Sequence, residues 1–164
     1  RGRRTTRTSR RSSSPGPSGE PEMHTASRTV DAMTGISEEA LTTWLAGQGV
    51  TVVEVDGGDD LGWYDLHGHA VAMRRDLLPT QRVPVLMHEC FHVARGDDGH
   101  QARRVEDWID EQVACRLVSL PDYARAEQEY GWNSGAIARE LDLPRWVIQA
   151  YRRALEKAVS KASA

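Results

Sequence analysis

The sequence predicts an α+β fold in which a small antiparallel sheet packs on a central helix and a helical bundle follows. Short segments rich in β-branched residues lie in the first half of the chain, and longer amphipathic segments fill the second half. Strands followed by helices are typical of an α+β domain. With 164 residues, of which 39% are hydrophobic, the chain suits one soluble domain.

The first half begins with a helix and continues with three strands. Ser37 is a suitable N-cap, acidic residues follow it, and Gly47 ends the predicted helix. The segments that favour strands are 51–55, 62–66 and 70–75, separated by glycine-containing turns. We expect strand 70–75 at an edge of the sheet, where it could pair with an extended peptide.

The next segment contains the string His88-Glu89-Cys90-Phe91-His92, an H-E-x-x-H motif. A helix is expected from an N-cap at Thr80 or Gln81 to Gly96, with Pro84 in its first turn. Residues four apart lie on one helical face, so both imidazoles can reach one metal ion. Glu89 lies about 100° from His88, which is poor for ligation but suitable for a general base. The motif is a strong signal, although a core helix with two incidental histidines remains the alternative.

A third metal ligand is expected from the following helix. Its positions on one face are Glu106, Ile109, Asp110, Val113 and Leu117. Zinc hydrolases use three protein ligands and leave one position open. Glu106 is therefore the candidate ligand, and Asp110 can accept the free N–H of a ligand histidine. Glu111 or Asp110 as the ligand, or a merely solvated acidic face, are the alternatives.

With this pattern the chain resembles the ImmA/IrrE family of metallo-endopeptidases, small zinc proteases of bacterial mobile elements and prophages. The resemblance rests on H-E-x-x-H and on Glu106-x-x-Ile109-Asp110, followed by the segment 113–119, and covers about 37–155. Ile109 replaces the family's alanine, and Ser119 stands where proline is usual. The resemblance implies a zincin-like domain over 33–158, with Zn²⁺ bound by His88, His92 and Glu106. It also implies Glu89 as catalytic base and a repressor or other regulator as substrate.

The last two predicted helices form a helix-turn-helix-like pair over 133–155. The second helix carries side chains able to meet phosphates or base edges, namely Arg145, Gln149, Arg152 and Arg153. Such pairs more often only pack, and the chain beyond residue 19 has 15 basic against 24 acidic residues, a net of −9 that repels DNA. The alternative function is therefore a non-proteolytic, metal-stabilised regulator that binds DNA or a partner protein.

The N-terminal residues differ from the rest of the chain. Residues 1–32 are rich in Arg, Ser and Pro, which predicts a disordered tail. A translation start at Met23 or Met33 would remove most of it. There is no apolar run long enough for a membrane span and no hydrophobic segment of a secretory signal, so a cytoplasmic protein is expected.

Several other residues have chemistry of interest. Cys90 and Cys115 are expected to be buried, reduced thiols, with zinc ligation a minor alternative. His67 and His69 flank a turn glycine and favour a loop over a metal or substrate site. Tyr64 and His100 are weak candidates for the group that stabilises an oxyanion.

Overall fold

A computed structural model describes residues 36–98 and 101–163, so the predicted tail over 1–32 and His100 lie outside the described residues. Within those ranges the protein has six helices and one three-stranded mixed sheet, an α+β fold. The elements are α1 Glu38–Gly47, β1 Thr51–Val55, β2 Gly62–Asp65, β3 Ala70–Arg74, α2 Pro79–Arg95, α3 Arg103–Leu117, α4 Leu120–Tyr130, α5 Ser134–Glu140 and α6 Arg145–Ala162.

The sheet has the order β1-β3-β2, and this corrects two predictions. β2 pairs antiparallel with β3, as expected, but β1 pairs parallel with β3. The segment between β1 and β2 contains Gly57 and Gly58, both with positive φ, and it carries the chain to the far side of the sheet. β3 is therefore the central strand, and the prediction of 70–75 as an edge strand was wrong. The edges are β1 and β2.

Helix α2 crosses the sheet and supplies most of its apolar cover. It begins at Pro79, a residue suited to the first helical position, and the side chain of Gln81 accepts a hydrogen bond from the backbone N–H of Leu78. It ends at Gly96, whose φ of 68° is the left-handed conformation that glycine adopts readily. Pro84 lies inside the helix and not in its first turn, because the helix starts earlier than the sequence predicts.

Two apolar clusters form the core. One lies between the sheet, α1, α2 and α3, and includes Leu86 and Phe91. The other lies among α3, α4, α5 and α6, and includes Tyr123 and Ile148. Trp146, at the start of α6, borders both clusters. Helix α3 therefore has apolar partners on two sides, and its polar residues must lie between them. Among the described residues, no helix combines the length and the apolar character that a membrane crossing requires.

Candidate metal centre

Three side chains from two helices converge at the surface of α2 that faces α3. His88 and His92 are one helical turn apart on α2, and Glu106 lies in the first turn of α3. The Nε2 atoms of the two histidines are 3.1 Å apart. Glu106 Oε2 lies 3.1 Å from His88 Nε2 and 3.4 Å from His92 Nε2. Among the described residues these three side chains form a group that could hold a metal ion.

The separations between the three atoms fit a tetrahedral zinc site. Zinc binds histidine nitrogen and carboxylate oxygen at about 2.0–2.2 Å, which places neighbouring tetrahedral ligands about 3.3–3.6 Å apart. The observed separations of 3.1, 3.1 and 3.4 Å are close to this range. Two imidazoles and one carboxylate are also a ligand set found in catalytic zinc sites. The described residues therefore fit a divalent metal such as zinc, although the donor set alone does not identify the metal.

Each histidine is oriented by a carboxylate on its other ring nitrogen. His88 Nδ1 lies 3.1 Å from Asp110 Oδ1, and His92 Nδ1 lies 2.9 Å from Asp97 Oδ2. An ionised carboxylate only accepts hydrogen bonds, so both Nδ1 atoms donate. In the neutral imidazoles the lone pairs are then on Nε2, the atoms that face each other and Glu106. This arrangement fixes the tautomer that a metal requires.

Asp97 is a residue of this site that the sequence analysis did not identify. It follows the helix-ending Gly96, and its backbone N–H donates to the carbonyl of His92, which folds the chain back towards the histidine. Arg95 Nε donates to the same Asp97 oxygen that faces His92, at 2.8 Å. Both side chains are at least nine-tenths buried. The sequence shows only an acidic residue directly after a glycine that ends a helix. That pattern is too common to indicate a site.

The second oxygen of Glu106 is also held. The backbone N–H of Gln101 donates to Glu106 Oε1 at 2.7 Å, which leaves Oε2 towards the histidines. Burial alone raises the pKa of Glu106, but the hydrogen bonds with His88, His92 and Gln101 outweigh it and hold that pKa well below the usual range. Glu106 is therefore a carboxylate at neutral pH.

The same contacts change the titration of the histidines. Burial lowers the pKa of His88, but hydrogen bonds with Asp110 and Glu106 overcome it and raise the pKa to about 10. For His92, burial again opposes the change, and Asp97 and Glu106 raise its pKa above the ordinary value. Without metal the site therefore takes up protons at neutral pH. A metal ion must displace those protons to bind.

Glu89 lies beside this group and not within it. Its side chain is buried, and it lines two cavities together with Gly62 and His88. One cavity has a volume of about 180 Å³ and the other of about 200 Å³. Glu89 therefore borders the space that a ligand of the metal would enter, which is the position that a general base needs.

The alternative metal ligands lie elsewhere. Glu111 faces α6, where both of its carboxylate oxygens accept hydrogen bonds from Lys157 Nζ, at 2.6 and 2.8 Å. It is thus not a third ligand. Asp110 contacts the outer nitrogen of His88 and does not belong to the converging group. Cys90 is buried, and burial raises its pKa, which keeps the thiol protonated and unsuited to ligation.

The remaining predictions had mixed outcomes. Cys115 is exposed, so the prediction of a buried thiol was wrong there; it borders an open groove between α3 and α6. His67 and His69 are exposed in the turn after β2 and are not part of the metal group. Tyr64 lines the 200 Å³ cavity with the histidines, and burial together with Asp65 and Asp98 raises its pKa. Its hydroxyl therefore stays protonated at neutral pH and is available as a donor.

Comparison of the chain with models of protein families gave no match, and comparison with curated proteins gave no relative.

Proposed function

We propose that the protein is a zinc-dependent endopeptidase in which His88, His92 and Glu106 bind the metal and Glu89 is the general base. One observation carries the proposal. The two Nε2 atoms and one carboxylate oxygen converge at separations of 3.1–3.4 Å, and a further buried carboxylate borders the adjoining cavities. A purely structural zinc site usually has four protein ligands, whereas three ligands beside a cleft are typical of hydrolysis.

Each residue of the site has a separate role in the proposed reaction. Bound zinc would supply a Lewis acid that polarises the scissile carbonyl and lowers the pKa of a water molecule. Glu89 accepts the proton of the attacking water and later delivers it to the leaving amine. Asp97 and Asp110 keep the imidazoles in the orientation and tautomer that ligation requires. Tyr64 lines the 200 Å³ cavity and offers a hydroxyl donor for charge that develops on the carbonyl oxygen.

The two cavities beside the metal group form a cleft that suits an extended polypeptide substrate. β2 is an edge strand, and its first residue, Gly62, lines both cavities beside Glu89. An edge strand offers unpaired backbone groups that can bind a peptide by strand addition. The resemblance of the motifs to ImmA/IrrE proteases favours a repressor or other regulatory protein as the substrate, in the cytoplasm.

The alternative, a regulator that binds DNA through its last helices, is less favoured. Arg152 Nε donates to the hydroxyl of Tyr123, and Arg152 Nη1 donates to the carbonyl of Trp132. Arg153 lies against Asp107, Asp110 and Glu111 of α3. These side chains hold α6 within the fold and are not presented as a basic surface. Of the four side chains, Gln149 and Arg145 are exposed. Two side chains make too few phosphate contacts to give substantial affinity for DNA.

Replacement of Glu89 by glutamine tests the proposal. Glu89→Gln keeps size and polarity but removes the base, so cleavage should fall by about 10²- to 10⁴-fold, while zinc content stays near one per chain. Glu111→Gln is the matched control, since Glu111 is equally buried but faces α6. Cleavage of co-expressed regulators and of a peptide library, followed by mass spectrometry, gives the readout. Unchanged cleavage by Glu89→Gln would contradict the assignment of the base.

A further inference from the structure

The two cavities beside the metal group share Gly62, His88 and Glu89 and differ in their other walls. The 200 Å³ cavity continues to Trp63, Tyr64, His92 and Glu106, so it covers the metal side. The 180 Å³ cavity is lined in addition by Leu61, Val85 and Trp146, and by Asp60 and Asp110. A peptide whose scissile bond lies beside Glu89 therefore has a separate cavity for a neighbouring side chain.

Apolar side chains form one part of the lining of the 180 Å³ cavity. Val85 is 4% exposed, and Leu61 and Trp146 are partly buried in the first core cluster. The Trp146 ring also meets the His88 ring edge to face, with centroids 6.3 Å apart. An apolar cavity of about 150 Å³ is large enough for benzene. The observed volume thus accommodates an aliphatic side chain or a phenyl ring but is small for an indole.

Charge around the cavity restricts its occupant further. Its ionisable walls include three carboxylates, on Asp60, Glu89 and Asp110. The carboxylates would repel an acidic side chain, and any charged side chain, acidic or basic, would lose its hydration against Val85 and Trp146. An apolar side chain removes the same surfaces from water at no such cost.

Gly62 lines both cavities at a point where there is little room for a side chain. A Cβ at this position would lie 2.8 Å from Val85 Cγ1 and 3.5 Å from Glu89 Cγ. A side chain on residue 62 would therefore push β2 away from α2 or fill the space next to the base. The absence of a side chain lets the edge strand approach Glu89 and leaves the cavity accessible.

We propose that the cavity bounded by Leu61, Val85 and Trp146 is a specificity pocket that accepts an aliphatic or phenylalanine side chain next to the scissile bond. The proposal rests on the endopeptidase function and identifies its substrate class: polypeptides cut beside a medium-sized apolar residue. Val85 is the residue that sets the depth of the pocket, since it is the most buried of the three apolar walls.

Cleavage of a peptide library by the zinc-loaded protein is the first test. Mass spectrometry of the products should show leucine, isoleucine, valine, methionine or phenylalanine enriched at one position flanking the cut. Two peptides that differ only there, with leucine or tryptophan, are then compared. Val85→Ala should raise kcat/KM for the tryptophan peptide relative to the leucine peptide by about tenfold, the usual worth of one or two methylene groups in an apolar pocket.

Val147→Ala is the matched control, because Val147 is fully buried in the second core cluster and lines neither cavity. It should leave the ratio of the two kcat/KM values unchanged. A second readout does not depend on turnover: the methyl NMR signals of Val85 in Glu89→Gln should shift on addition of the leucine peptide and not of an aspartate peptide.

The outcomes separate the two proposals. Cleavage without apolar preference, a preference for basic or acidic residues, or an equal ratio in Val85→Ala and Val147→Ala would overturn the specificity pocket and leave the endopeptidase standing. No cleavage of any peptide by the zinc-loaded protein, together with a leucine-dependent shift of Val85, would overturn the endopeptidase and leave an apolar binding pocket. Absence of both cleavage and the shift would overturn both.

Discussion

Helix α3 carries buried or partly buried carboxylates on two faces, and the partners of these carboxylates differ. Glu106 and Asp110, about 40° apart on the helix, face the histidines of α2. Glu111, about 140° from Glu106, faces α6 and is paired with Lys157 and Arg153. The first face meets groups that can exchange a proton for a metal ion. The second meets two cationic side chains, of which Arg153 also lies 3.5 Å from Asp110.

This difference distinguishes the candidate metal site from a structural ion pair. A carboxylate balanced by lysine and arginine is fully compensated and needs no further ligand. Glu106 instead lies against the Nε2 atoms of two imidazoles, whose Nδ1 atoms already donate hydrogen bonds to Asp97 and Asp110. When the imidazoles are neutral, the lone pairs of these ligand atoms point towards one position. Both faces carry carboxylates that are at least partly buried, so the chemistry of the partner decides the function of each.

The largest expected effect is the contrast between Glu106→Gln and Glu111→Gln. Glu106→Gln should lower zinc affinity by more than about 100-fold, because groups that only support the ligands already contribute about 10- to 100-fold. Glu111→Gln should leave zinc affinity unchanged but lower the free energy of unfolding by about 1–2 kcal/mol. The loss is modest because the Lys157 side chain is 62% exposed and can return to water.

Competition titration with a zinc chelator and chemical unfolding of the metal-free proteins measure the two effects. If Glu111→Gln lost zinc and Glu106→Gln kept it, the assignment of the two faces would be reversed.

The next largest effect is expected for the two carboxylates that orient the histidines. Asp97→Asn and Asp110→Asn should each lower zinc affinity by about 10- to 100-fold, since an amide orients a histidine less strongly than a carboxylate. The Asp97 variant should show the larger loss, because Asp97 is more buried than Asp110 and lies closer to its histidine. Calorimetric titration with zinc gives both values. Equal affinity in wild type and both variants would show that neither carboxylate supports the ligands.

The smallest effect is the uptake of protons by the metal-free site. The pKa of His88 is raised to about 10, so its imidazole favours the protonated form at pH 7, and the pKa of His92 is raised in the same direction. Zinc should therefore release about one to two protons on binding, and its affinity should rise as pH increases towards 10. The Glu106→Gln variant should release fewer protons when it binds zinc. Calorimetry in buffers of different ionisation enthalpy measures the number, and zinc binding without proton release would contradict the raised pKa values.

The sign of the linked stability follows from the same shifts. A folded-state pKa above the unfolded value means that protonation of His88 stabilises the metal-free fold fully below about pH 6.5. This contribution is lost as pH rises through about 10.

The sequence predicted the elements of the fold better than their arrangement. The strands at 51–55, 62–66 and 70–75 lie within one residue of the observed bounds, since alternation and turn glycines are local signals. The pairing of β1 with β3 is not local, because it depends on where a glycine-containing linker leads the chain. The exposure of Cys115 likewise depends on how far α6 covers α3.

The candidate site could be predicted to a similar extent. His88, His92 and Glu106 were identified because helical periodicity places residues four apart on one face, and the structure brings these three together. The contact between Asp110 and His88 follows from the same periodicity. Asp97 lies after the end of α2, where no period applies, and its role depends on a left-handed Gly96 that turns the chain back. The apolar cavity needs Trp146 of a distant helix.

The most direct test of the metal centre is X-ray absorption at the zinc edge of the zinc-loaded protein. We expect two imidazole nitrogens at about 2.0–2.1 Å and oxygen ligands at about 2.0–2.2 Å, with no sulfur at about 2.3 Å. The imidazole signal should fall in a variant that lacks His88 or His92 and persist in Glu111→Gln. A sulfur ligand, or fewer than two imidazoles in the wild-type protein, would contradict this expectation.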